Sequence, residues 1–138
     1  MIVKQVSLEG AIVTNAYFYI DEETKHGFLI DPAAEPEKLL AIIAENDWII
    51  EKMLLTHGHF DHIGAVAKIQ QNLGIPYLAH RQAQTYLNDG MMNLSAHFFA
   101  TPIILHDAEY INNEDAIVLT ADPKVQLQVI YTPGHTQD

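Results

Sequence analysis

Thr56-His57-Gly58-His59-Phe60-Asp61-His62 follows directly on a short apolar run, Met53-Leu54-Leu55. Three imidazoles and a carboxylate therefore crowd onto one loop that leaves a predicted strand. Nitrogen and oxygen donors packed this closely suit a borderline or hard divalent cation. Without a shared cation they would be costly neighbours, because each imidazole can charge near neutral pH. The plainer alternative is a polar loop in which the histidines only hydrogen-bond.

Both flanks of the loop read as rigid supports. Lys52–Thr56 is a predicted strand, and Ile63, Val66, Ile69 and Leu73 recur at helical spacing up to the natural stop at Gly74. Gly64, near the helix start, allows backbone to pack close to the loop. A ligand loop clamped between a buried strand and a helix is what a preorganised metal site requires.

Upstream, Val3–Ser7 and Ala11–Ile20 read as strands, and Gly27–Ile30 as a third after the polar turn Asp21–Lys25. His26 is placed in that turn and expected to face solvent. Asp31-Pro32 ends the third strand, with Asp31 at a strand C-terminus, where α/β folds often place functional groups. The competing reading of Asp31 is a cap for the next turn. Pro36 opens a predicted helix with Glu35 and Glu37 beside its positive end, and Leu39, Leu40, Ile42 and Ile43 form its apolar face.

Downstream, Ile75–Ala79 reads as a strand and Arg81–Leu87 as a short helix. Met91–Pro102 shows neither helical nor strand period and reads as an apolar, aromatic flap. His80, His97 and His106 stand alone in sequence and are read as structural. Ile117–Leu119 is a strand, and Val125, Leu127, Val129 and Tyr131 alternate as a half-buried one. It delivers Thr132-Pro133-Gly134-His135-Thr136, a tight turn carrying one more histidine, the third nitrogen for a single metal.

The 138 residues suffice for one domain with a sizeable core, and a hydrophobic content of 49% against 18% charged is that of an ordinary globular chain. A formal net charge of −11 argues against nucleic acid or an anionic membrane as partner. With no cysteine, disulfides and thiolate ligands are excluded. Met1-Ile2-Val3-Lys4-Gln5 does not begin a signal peptide, and no apolar run approaches the ~20 residues of a membrane span, so a cytoplasmic location is the default expectation.

The pattern HxHxDH at His57, His59, Asp61 and His62, with TPGHT at 132–136, resembles the metallo-β-lactamase superfamily. Phe28-Leu29-Ile30-Asp31-Pro32 fits the same resemblance, and Asn93-Leu94-Ser95 is similar to its glyoxalase II-like (hydroxyacylglutathione hydrolase-like) branch. The resemblance covers almost the whole chain. It implies an α/β fold (α+β by some schemes), the αββα sandwich of two similar halves. Residues 1–138 would be a single, incomplete domain: the N-terminal half and the start of the second.

The resemblance also implies roles. His57, His59 and His135 match the nitrogens of a first metal, and Asp61 and His62 match ligands of a second. Asp61 would also help to orient the nucleophile. Zinc, one or two ions, is the expected cofactor, with iron or manganese also accommodated by these ligands. The family pattern continues with a bridging aspartate and a last histidine. Neither can be assigned here, since Asp138 lies too close behind His135 to bridge.

The implied activity is hydrolysis of a small-molecule substrate by a metal-bound hydroxide, on a thioester such as an S-acylglutathione. A thiolate leaving group needs little protonation, which suits the lack of an obvious general acid. Two alternatives are a mononuclear iron persulfide dioxygenase and an inactive metal-binding fragment of a longer hydrolase. A half-sandwich would expose an apolar sheet face, which a homo-oligomer could cover.

Overall fold

The computed structural model describes residues 1–138. Three strands open the chain: β1 (Ile2–Glu9), β2 (Val13–Ile20) and β3 (His26–Ile30), paired as an antiparallel meander. Helix α1 (Pro36–Glu45) then crosses to β4 (Ile49–Leu54), which pairs parallel to β3. Two short helices follow, α2 (Phe60–Ile63) and α3 (Val66–Leu73), before β5 (Tyr77–His80). A 3-10 turn (Arg81–Ala83), α4 (Gln84–Leu87) and α5 (Ser95–Phe98) precede β6 (Glu109–Ile111). Finally β7 (Ala116–Val118) and β8 (Gln126–Gln128) form a separate antiparallel pair. The main sheet has six strands in the order β1-β2-β3-β4-β5-β6, parallel from β3 onward.

Burial follows the strand period. In β2, Ala16, Phe18 and Ile20 are buried on one face, where they meet Leu39 and Ile43 of α1 and Val66 and Ile69 of α3. This face carries the larger core, which also holds Met53, Ile63 and Tyr77. On the opposite face Phe28, Leu54 and Leu78 meet Ile117 and Leu119. The sheet face expected to lie bare is therefore partly covered by the β7–β8 segment.

Most predicted elements are present, with five differences, one of them that the flap expected over Met91–Pro102 contains the short helix α5. The helix expected from Ile63 to Leu73 is broken, because Ala65 N–H donates to Pro32 O at 2.8 Å. The helix over 81–87 begins as a 3-10 turn, capped by His80 Nδ1, which accepts from Gln82 N–H at 3.2 Å. Strand β6 was not foreseen. His26 is not in a solvent-facing turn. It starts β3 and its Nδ1 lies 2.9 Å from Glu51 Oε1.

Register prepares the site. Ile30 of β3 stands opposite Leu54 of β4, so Asp31 and Thr56 leave the sheet side by side. Gly64 lets the two crossings meet closely: a Cβ there would lie 2.3 Å from Ala33 O.

Candidate metal centre

Asp31 is 3% exposed and adopts a left-handed backbone, φ 49°. Its Oδ1 accepts Thr56 N–H at 2.8 Å, and its Oδ2 accepts Thr56 Oγ1–H at 2.5 Å. The same Oδ2 lies 2.8 Å from His62 Nδ1. With its hydrogen given to Asp31, Thr56 Oγ1 can only accept from His57 Nδ1, 3.1 Å away. This network assigns the Nδ1–H tautomer to neutral His57, leaving the lone pair on Nε2. That Nε2 is buried with no hydrogen-bond partner. Asp31 and Thr56 were not both legible as one device in the sequence, where they are distant.

The ring nitrogens of His57, His59 and His135 offer ligand atoms that all lie within 4.8 Å of one another. The three rings meet edge to face, with centroids 4.9 to 5.1 Å apart. The His62 ring stacks obliquely 4.1 Å from that of His57, and its Nε2 lies 3.6 Å from Asp61 Oδ2. Thr14 Oγ1 donates to Asp61 Oδ2 at 3.4 Å. The structure thus gathers all five residues singled out in sequence at the C-terminal ends of β3 and β4.

Burial lowers the His57 pKa to about 4, aided by the neighbouring His62. His59 is also lowered, by burial and by His135. For His62 burial pulls downward, but the hydrogen bond and charge of Asp31 and the charge of Asp61 raise it above its ordinary value. Two of the clustered imidazoles are thus held neutral, the form that binds a cation.

The loop is packed from behind. Phe60 is buried and stacks on Phe98 at 4.3 Å, with Phe99 edge-on at 5.9 Å. Tyr86 meets His59 edge-on at 5.9 Å. Asp138 Oδ2 accepts Gly58 N–H at 2.6 Å, so the chain after His135 folds back onto the histidine loop. Asp138 is buried, and its Oδ1 has no partner. Sequence reasoning gave this residue no part.

A six-stranded mixed sheet with a histidine cluster where β3 and β4 end defines a class. The family model for the metallo-beta-lactamase superfamily matches residues 10–138, and the chain belongs to that superfamily. Among curated relatives, the probable metallo-hydrolase YqgX of Bacillus subtilis (strain 168) is 32% identical over 92% of this chain and 58% of its own length. The hydroxyacylglutathione hydrolase GloC of Haemophilus influenzae (strain ATCC 51907 / DSM 11121 / KW20 / Rd) is 28% identical over 83% of this chain and 54% of its own. Among solved structures, the BLEG-1 B3 metallo-beta-lactamase superposes with a TM-score of 0.86 at 31% identity, covering 99% of this chain and 64% of that one. TTHA1623 in a di-iron-bound form gives 0.76 at 33%, covering 96% and 62%. The chain therefore spans less than two thirds of the length of each of these proteins. No helix is long and apolar enough to cross a membrane.

Proposed function

We propose that this chain carries the metal-binding half of a hydrolase that acts on a small-molecule thioester such as an S-acylglutathione. The observation that carries this reading is the His57, His59 and His135 cluster, whose buried His57 Nε2 has a lone pair and no partner. Such a donor set fits zinc and also iron. His57, His59 and His135 would hold one ion, and Asp61 and His62 would contribute to a second. A divalent ion bound there supplies Lewis acidity toward a carbonyl and a nucleophile available at neutral pH.

The remaining work falls to the chain itself. Asp31 and Thr56 keep His57 and His62 in the tautomers that free their Nε2 atoms. Asp61, tethered by Thr14, places a carboxylate beside His62, where it would orient the nucleophile. Phe60, buried against Phe98 and Phe99, anchors the loop from behind. A thiolate leaves without a proton from the protein, so the site needs no general acid. The names of YqgX and GloC support the hydrolase reading, and that of GloC supports the thioester.

The test is metal content by elemental analysis and hydrolysis of S-lactoylglutathione, on the wild-type chain and on His57→Ala. Bound metal with thioesterase activity, both lost in the variant, is the expected result. Metal-loaded chain that cleaves a lactone or phosphodiester but no thioester would overturn the substrate assignment.

A further inference from the structure

Beside Asp61 a cleft of about 500 Å³ opens, a size ordinary for a small-ligand site. Its walls come from three separate segments: the β1–β2 turn with Ile12, the β3–α1 crossing with Ala34 and Glu35, and the flap with Phe99 together with Ile103 just beyond it. Phe60 and Asp61 form its floor. The cleft therefore leads directly away from one residue of the metal cluster.

Two features set what it can hold. Ile12 is 46% exposed and Phe99 is 40% exposed, so large apolar side chains stand in water along the walls. Burying them against an apolar guest is favourable. The only charged residues lining the cleft are Glu35 and Asp61, both acidic, and no lysine, arginine or histidine faces it. Glu35 is already engaged, accepting Glu9 N–H at 2.9 Å with Lys38 Nζ 3.7 Å away. An anionic guest would find no lysine, arginine or histidine on the walls and would lose its hydration among apolar side chains.

We infer that this cleft takes the acyl side of the substrate, and that the group it selects is uncharged and aliphatic or aromatic. The inference rests on the thioesterase reading above. No covalent step is added: the acyl chain occupies the cleft while its carbonyl lies at the metal cluster.

Kinetics and binding test this separately. For zinc-loaded chain acting on acetyl, butanoyl and hexanoyl thioesters of N-acetylcysteamine, kcat/KM rises by about fourfold per methylene. The succinyl thioester falls at least about tenfold below butanoyl, because its carboxylate is desolvated among apolar walls. Ile103→Ser lowers the slope with chain length. In metal-free chain, hexanamide shifts the methyl NMR signals of Ile12 and Ile103, and succinamic acid does not. Hydrolysis with no chain-length dependence and unmoved methyls overturns the cleft assignment and leaves the hydrolase reading intact. Shifted methyls in a chain that cleaves no thioester overturn the hydrolase reading, and with it the acyl identity of the guest.

Discussion

Asp31 Oδ2 lies 2.8 Å from His62 Nδ1 and accepts the Thr56 hydroxyl at 2.5 Å, so a single buried carboxylate sets the tautomers of two histidines, His62 directly and His57 through Thr56. Asp31→Asn keeps the shape and tolerates the left-handed backbone, since asparagine is at home there. It removes the charge that raises His62. Zinc affinity is expected to fall about 10- to 100-fold, the usual cost of losing an orienting partner. NMR titration should also move the His62 pKa downward. Calorimetric zinc binding equal to wild type would count against this role.

His135 comes from a different part of the chain than His57 and His59, and its side chain completes their cluster. His135→Ala should weaken zinc binding by more than the about 10- to 100-fold attributed to supporting residues. Elemental analysis after gel filtration would read this as lost metal. Full retention would mean that His135 is not a ligand.

Phe60 sits between two of the clustered residues yet is 4% exposed and faces Phe98 and Phe99. Phe60→Ala should cost about 3–5 kcal/mol by removing a buried ring and leaving a cavity. Urea denaturation of the metal-free protein measures it. A cost under about 1 kcal/mol would mean the flap collapses freely onto the gap.

Gly64 has no room for a side chain, with Ala33 O 2.3 Å from an added Cβ. The obstacle is backbone, which cannot rotate away. Gly64→Ala should cost at least about 1–3 kcal/mol and shift the Pro32–Ala33 crossing. A thermal midpoint matching wild type would show that the crossing yields without penalty.

Glu51 gives an acid-sensitive link between the two sheets. Its Oε2 accepts Thr120 N–H at 2.6 Å and its Oε1 accepts Ala121 N–H at 2.9 Å. Burial raises the Glu51 pKa, but these amides and His26 outweigh it and the net shift is downward. A carboxyl depressed on folding contributes stability that is complete above the unfolded value, about 4.3, and fades as pH falls through the folded one. The Thr120 and Ala121 amide signals should therefore titrate with a midpoint below about 4.3. A midpoint at or above that value would contradict the assignment.

Much of this was legible in sequence for a physical reason. The histidine loop is local, and the strand before it and the helix signal after it are periodic. What escaped reading depends on register. That Asp31 meets Thr56 and His62 follows from Ile30 pairing with Leu54, a fact no local pattern encodes. The helix break at Gly64–Ala65 preserves the apolar period, so spacing alone could not show it. Strand β6 has only three residues and exists because β5 offers it a parallel edge. His26 was misplaced because its partner, Glu51, belongs to the next crossing.

The order of strands in the main sheet is the order of the chain itself. Each strand can dock on its predecessor as it leaves the ribosome, with no waiting for distant sequence. His57 and His59 are then in place by residue 59, while His135 arrives only at residue 135. During synthesis the scaffold precedes the full histidine cluster, which closes only when the turn carrying His135 comes back and Asp138 meets Gly58.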